Sequence, residues 1–323
     1  FEIDHVLSVA PASEIPKIYP RVARTRTSFS QVLTGYLSED TATRIAGIVR
    51  ETPERPIDVG YRAWEGAPWL GRHGMLKRQV SDAVNAEGPR LGLRTDCSTR
   101  AEDTLLGDDW FRFLASCKCT VGVEGGASIL DHDGSLRAAT DSYLAEHPEA
   151  SFDEVEAACF PGRDGELALF ALSPRHLEAC ATRTAQILVR GDYNGILRAG
   201  EHYFELEPDL SNLDEVLLAA RDDRAREAVA ERAFRDIVAS GDYTYRALVS
   251  AVERAAVGRS VVAAGDSRAA LRLVVNRVHE LLTWARVIYR LHLSATVIRV
   301  STTLRSFIAR GLAYGRAAIG RLR

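Results

Sequence analysis

Over most of the chain, short apolar runs alternate with longer amphipathic stretches, as strands laid between helices require. Pro56 to Tyr61 reads as a strand, Met75 to Ala86 as a helix, Leu91 to Thr95 as a strand and Asp109 to Ser116 as a short helix. The apolar run Thr120 to Val123 leads almost directly into Gly125-Gly126, and a helix follows around Leu136 to Glu146. Ser173-Pro174 then opens a helix, and Gln186 to Val189 and His202 to Leu206 read as strands. Asp214 to Ala220 is a helix, with Leu213, Val216, Leu217 and Ala220 at i, i+3, i+4 and i+7. Ser211 fits as its N-cap, with Asp214 in the N3 position of a capping box. A long helix from Arg224 to Val257, with a break expected at Gly241, closes the series. The pattern predicts an α/β fold, a mostly parallel sheet with helices on both faces. Ligands of such sheets bind outside the carboxyl ends of the strands. Gly125-Gly126 and the loops after Tyr61 and Val189 then share one rim.

The two ends differ from this body. Residues 1–54 combine an apolar run from Val6 to Ala10, proline turns and one polar helix candidate, Glu39 to Arg50. They read as a connector or the remnant of an N-terminal domain, with the main domain at 55–257. Residues 258–323 read as a basic amphipathic helical tail. On a helix Arg272, His279, Arg286 and Arg290 fall near one face, and Val274, Leu281, Trp284 and Ile288 lie roughly opposite. From Ala256 onward there are twelve Arg and only Asp266 and Glu280 as acids, although the whole chain carries a net charge of −3. An acidic body with such a tail points to an anionic membrane surface as a partner of residues 258–323, or to packing on another domain. Nucleic acid is not expected, because the body is acidic and no recognition motif appears.

Composition narrows the class further. With 46% hydrophobic and 26% charged residues, the 323-residue chain is an ordinary globular protein. Its five Cys form no C-x-x-C pair and no zinc pattern, so they read as reduced, buried thiols. No run reaches the roughly 18 apolar residues of a spanning helix, and the N-terminus is not a signal peptide. The expected location is cytoplasmic, peripheral at the inner membrane face. The absence of an initial Met, in what looks like a strand, predicts that the chain begins inside a longer protein.

Four clusters can carry chemistry. Arg62, Arg72 and Lys77, with Gly71 and Gly74, offer cations and close backbone approach to a diphosphate; taken alone, a solvated loop paired with local acids is the stronger reading. Gly125-Gly126 after Val123 permits close ligand contact or a tight turn, and the turn is favoured. Asp131-His132-Asp133-Gly134 reads as a turn rather than a metal site, and no metal is expected. Ser173, Pro174 and Arg175 start a helix in which Glu178 lies too deep to cap. Glu178 either accepts from a ribose diol or pairs with Arg175. Gly191-Asp192-Tyr193-Asn194-Gly195 is a turn whose Tyr193 lies over a ligand or packs inside, packing being favoured.

The segments RPIDVGYRA, WLGRHGMLK, GVEGGASILDHDG, SPRHLEACATRTAQILVRGDYNGIL and HYFELEPDLSNLDEV, over residues 55–257, resemble the C-terminal half of GT-B glycosyltransferases. The branch they resemble is the group-1 one, which includes CgeB-like spore-maturation proteins. The resemblance implies a Rossmann-like domain that binds a nucleotide-diphosphate sugar, with no cofactor beyond that donor. It places Glu178 on the ribose, Arg72 and Lys77 on the diphosphate, with Arg62 beside them, and Gly125-Gly126 near the donor. Ser173, Arg175, Tyr193 and Asn194 complete the expected donor contacts. Two departures stand out. The first acid of an E-x7-E pair would fall on Phe170, and the N-terminal domain that carries the acceptor site in that fold has only 54 residues in its place. The implied function is transfer of a sugar to an unknown acceptor, with the base supplied by a missing domain or partner chain. The competing class is a noncatalytic scaffold or binding module; a hydrolase or epimerase ranks third.

Overall fold

The structure, a computed structural model, describes residues 3–21 and 27–257. The compact unit ends at Ala256, and of the residues after it only Val257 is described. The expected tail at 258–323, and the membrane reading that depends on it, lies outside the described residues.

The chain opens with β1 (His5–Ser8), α1 (Ile15–Ile18), β2 (Ser28–Gln31) and α2 (Glu39–Glu51). Next come β3 (Ile57–Arg62), α3 (Arg72–Glu87), β4 (Thr95–Ser98), α4 (Asp108–Ser116) and β5 (Cys117–Gly122). An excursion follows through β6 (Gly125–Ala127), α5 (Ser135–Glu146), α6 (Phe152–Cys159) and β7 (Leu169–Ala171). The chain then returns through α7 (Pro174–Ala181), β8 (Ala185–Val189), β9 (Phe204–Leu206), α8 (Leu213–Arg221), α9 (Asp223–Ala233) and α10 (Tyr245–Val257).

The main sheet has the order β4-β3-β5-β8-β9 and every pairing in it is parallel. This is the Rossmann-like α/β fold predicted. Alternating side chains divide the interior as the two-residue period of a strand demands. Val59, Tyr61, Cys119, Val121, Ile187 and Leu206 pack with Val80 and Val84 of α3 and Leu213 and Leu217 of α8. Leu188 points the other way, among Ile45 and Ile48 of α2, Phe111 of α4 and Leu177 of α7. Residues before 55 therefore contribute to the second core. At about 25 cal/mol per Å² of apolar surface, these two layers supply the main drive for folding. Gly60 lets α4 approach the sheet, since a side chain there would collide with Cys117 and Phe113.

Most predicted helices appear within a few residues of their expected ends; three details differ. The strand expected at Leu91 to Thr95 lies at Thr95–Ser98, because Pro89–Leu91 forms a 3₁₀ turn that Gly92 ends in the left-handed region. The N-cap of α8 is Asn212 rather than Ser211, and its side chain turns back to the Glu207 amide and the Glu205 carbonyl. The long C-terminal helix divides into α9, a π-turn at Phe234–Ala239 and α10, with Gly241 at φ 78° in the break. α6 was not predicted, although Ser151 and Glu154 form a complete capping box at its start.

The amino-terminal pair β1–β2 is parallel and separate from the main sheet. It is tied to the excursion: the Glu14 carboxylate accepts from the Ala168 amide at 3.2 Å, and Lys17 Nζ donates to the Glu166 carbonyl at 3.0 Å.

Candidate functional site

The strand order fixes where a ligand can lie. From β3 the chain moves outward to β4, then crosses back to β5 on the opposite side of β3. Winding reverses there, so a crevice opens at the carboxyl ends of β3 and β5. Three zones line this edge in succession. The first encloses about 190 Å³ between Arg62, Trp64, Thr104, Trp110 and Arg175. The second is a narrow gap among Tyr61, Gly122, Val123, Arg175 and His176. The third encloses about 480 Å³ at the ends of β5 and β8, beside Val123, Glu124, Gly191, Asp192, His73 and Phe170. Arg175 borders the first two zones and Val123 the last two, so the three adjoin along this edge.

Arg175 borders the middle zone, and Lys77 stands close enough for its charge to act there, although it lines none of the three zones. Arg175, in the first turn of α7, and Lys77, on α3, are both half-buried. Among the described residues neither has an ion pair or a side-chain hydrogen bond. Burial, and after it the charge of Arg175, holds the Lys77 ammonium below its ordinary pKa. Two neighbouring cations that make no ion pair are unfavourable in a half-buried place, and an anion between them relieves that cost.

Beside them, Trp110 Nε1 donates to the Glu178 carboxylate at 2.8 Å. Burial raises the Glu178 pKa, against the opposing pull of Trp110 and Arg175. Glu178 is thus held near Arg175 and Trp110 at the same edge as Lys77.

The start of α7 is built by an unforeseen device. Ser173 Oγ accepts from the Arg175 amide at 3.3 Å, and the Ser173 amide donates to His176 Nδ1 at 3.1 Å. An imidazole takes the place of the missing capping-box carboxylate. Burial, with Arg175 and Lys77 close by, drives the His176 pKa down to about 3, so the ring is neutral. With Nδ1 accepting, the proton sits on Nε2, which faces Gly122; a Cβ on Gly122 would lie 3.2 Å from that nitrogen. Gly122 keeps this edge of the groove thin.

Other expected contacts are engaged elsewhere. Arg72 pairs with Asp153 at 2.6 Å, Glu156 at 3.5 Å and Asp164 at 3.6 Å, and its guanidinium lies over Phe152. It is held by three acids of the excursion instead of facing the groove. The loop before it is stitched down too. Gly71, at φ 87°, sits against Ser128 and Asp164, and Asp164 accepts from the Arg72 amide, capping α3. Arg62 bonds Asp96 at 2.7 Å and two carbonyl oxygens, yet its buried Nε has no partner among the described residues.

Gly126, at φ 145°, opposes Phe170 in the β6–β7 ladder, and a side chain there would collide with the Leu169 carbonyl. Gly125 opposes Ala171 in the same ladder. Both glycines serve strand pairing. Tyr193 is fully buried, its hydroxyl donating to the Val189 carbonyl at 2.5 Å, and it packs against His176 and Tyr203. Packing rather than a lid explains it. Asn194 borders the third zone, with Oδ1 accepting from the Leu172 amide at 2.7 Å. Asp131 caps α5, accepting from the amides of Gly134, Leu136 and Arg137.

Two side chains at the edge escaped the site prediction. Glu124, 5% exposed, accepts from the amides of Tyr193 at 2.8 Å and Asp192 at 3.3 Å. Burial raises its pKa despite those two bonds. His73 donates to the Glu124 carbonyl at 3.0 Å and stacks on Phe170, with centroids 3.9 Å apart. A charged residue directly after an apolar strand is a usable signal for Glu124; no local signal marks His73.

No family model matches this chain, and no curated protein matches it. Among solved structures it is similar to HepE (Alr3699) of Anabaena. The complexes with UDP and glucose and with UDP-glucose are each 12% identical with a TM-score of 0.42, and the complex with UDP is 11% identical with a TM-score of 0.43. Each match covers 79% of this chain, which spans 64% of the HepE chain.

Proposed function

We propose that this chain is the donor-binding half of a glycosyltransferase of GT-B type, in the group-1, CgeB-like branch, and that its groove holds a nucleoside diphosphate. The carrying observation is Arg175, without an ion pair among the described residues, at the β3/β5 edge, with Lys77 close enough for the two charges to act on each other. Glu178, fixed by Trp110, supplies a carboxylate for the ribose hydroxyls, and the zone beside Trp64 and Trp110 offers aromatic surface for the base. In transfer, the bond from the anomeric carbon to the diphosphate breaks and its electron pair goes to the phosphate oxygen. Lys77 and Arg175 stabilise that charge as it builds. The acceptor hydroxyl and the base that takes its proton belong to another domain or chain.

Isothermal calorimetry with UDP, GDP and pyrophosphate tests this. Nucleoside diphosphates bind more tightly than pyrophosphate, and affinity falls with added salt. No heat with any of the three removes the reading and leaves a scaffold in its place. Residues 258–323 add an anionic membrane surface as a second partner, a proposal from sequence alone. Liposome co-sedimentation checks it, and equal recovery with neutral and anionic lipid excludes it.

A further inference from the structure

Glu124 is a buried carboxyl that the proposed transfer does not use. It follows β5, and its two oxygens accept from the amides of Asp192 at 3.3 Å and Tyr193 at 2.8 Å. Gly191 makes room for it, since a Cβ there would collide with Glu124 Oε2. The turn held in this way is strained. Tyr193, Asn194 and Gly195 follow one another in the left-handed region, at φ 47°, 56° and 66°. Glycine enters that region freely and asparagine more readily than most, but a tyrosine stays there only when its surroundings hold it.

What the strained turn delivers is Asn194. Its Oδ1 accepts from the Leu172 amide at 2.7 Å, and the Leu172 carbonyl accepts from Thr34 Oγ1 at 2.6 Å. Both main-chain groups of the residue before the N-cap of α7 are thereby fixed. Ser173, the N-cap, gives its amide to His176 Nδ1 at 3.1 Å. The rings of His176 and Tyr193 stand perpendicular, at 86°, with centroids 5.2 Å apart. The turn therefore holds the start of α7 twice, through the backbone at Leu172 and through the His176 ring.

Starting a helix does not require this much. The capping box of α6 is complete with Ser151 and Glu154, both exposed. At α7 the bracing comes from the end of β5, from the turn after β8 and from Thr34. It converges on the first turn that carries Arg175, which makes no ion pair among the described residues. A guanidinium without an ion pair is aimed by its own backbone, so a shift at Leu172 and Ser173 moves it as well.

We infer that Glu124 is a positioning residue: by holding the amides of Asp192 and Tyr193 it keeps Asn194 on Leu172 and so sets the direction of Arg175. It acts through the turn and not by contact with a ligand. Asn194 is the side chain that transmits the effect, because it combines tolerance of the left-handed region with an acceptor. The consequence for UDP rests on the diphosphate reading given above; the coupling from Glu124 to α7 does not.

Three variants separate this role from a plain loss of stability. Asn194→Asp keeps the acceptor, Asn194→Gly keeps only the backbone freedom, and Glu124→Gln puts an NH₂ against one of the two amides. Glu124→Asp, too short to reach both amides, replaces the last should it not fold. Each is titrated with UDP well below its melting temperature. Asn194→Gly and the Glu124 variant weaken UDP about 5-fold, the worth of one lost hydrogen bond, and Asn194→Asp less than ~2-fold. NMR of the Arg175 amide and the His176 ring nitrogens, without ligand, follows α7 directly. Those signals move in Asn194→Gly and the Glu124 variant and stay near the parent's in Asn194→Asp. If they move in this way while the parent binds no UDP, the brace stands and the nucleotide reading falls. Signals that stay in place, UDP affinity that is unchanged in a parent that binds it, or an equal loss in Asn194→Asp and Asn194→Gly overturns the inference.

Discussion

Arg72 and Arg175 look alike in the sequence: each is a cation at the start of a helix, close to glycine or serine. In the fold they have opposite fates. Arg72 is surrounded by Asp153, Glu156 and Asp164 and half of its side chain stays in water, where such pairs contribute between zero and about 1 kcal/mol. Arg175 is half-buried, near Lys77, and makes no ion pair among the described residues; the acid that feels its charge, Glu178, is bonded to Trp110. A cation that already has partners has little left to offer a ligand. On the function proposed above, a binding cation is marked by the ion pairs it does not make as much as by its charge.

The comparison breaks most decisively at the groove. Replacing both Lys77 and Arg175 by Ala removes two charge-assisted contacts of about 1.5–3 kcal/mol each, so UDP affinity falls at least ~100-fold by calorimetry. Thermal stability holds or rises, because like-charge repulsion is relieved. A retained affinity would mean that the phosphates lie elsewhere.

The next effect concerns pH. His176 titrates at about 3 in the folded protein against an ordinary value of 6.5, and burial shifts His73 in the same direction. The folded state therefore binds fewer protons than the unfolded chain below pH 6.5. Stability from these rings is complete above 6.5 and is lost as pH falls toward 3, with a slope approaching about 1.4 kcal/mol per pH unit for His176 alone. Urea unfolding at pH 7.5, 6 and 5 measures it, and His176→Asn, which keeps an acceptor for the Ser173 amide, flattens the slope.

Glu178→Gln sharpens the contrast between the nucleotide and its phosphates. It weakens UDP by about 1 kcal/mol and leaves pyrophosphate binding unchanged, as titration of both ligands shows. The smallest effect belongs to Arg72→Ala. UDP affinity changes less than ~2-fold, and the melting temperature drops by an amount matching at most about 1 kcal/mol. A loss as large as that of the groove pair would erase the distinction drawn here.

Most of the fold was legible because its central strands and long helices have strong periodicity. β8 is nearly all apolar and wholly buried, β5 is buried at every position but Lys118, and α4 and α8 present one apolar face. β4 was misplaced because Thr-Asp-Cys-Ser is an edge strand with one buried side chain, which leaves no period to read. β6 and β7 span three residues each, and their pairing joins segments more than forty residues apart. Ser151 and Glu154, at capping-box spacing, mark the start of α6 in the sequence.

The charges from which the proposed site is built are visible in the sequence, and their pairings are not. Lys77, Arg175 and Glu178 stood in the candidate set. Nothing near Arg72 could reveal that Asp153, 81 residues further on, would engage it. Nothing near Gly126 revealed a carbonyl of β7 against its Cα. Phe170 was noted only as a departure from an expected acid, and nothing in the sequence pairs it with His73.

The described residues between Pro11 and Gln31 have a role that their connector-like sequence hides. Pro11, Ser13 and Gln31 form part of the wall of the large cavity, and Glu14 and Lys17 fasten that stretch to the loop just before β7. Trimming it as a dispensable leader would take the roof off the compartment and admit water over Phe170. Shortened versions of this protein would then carry an open trough in place of a covered chamber.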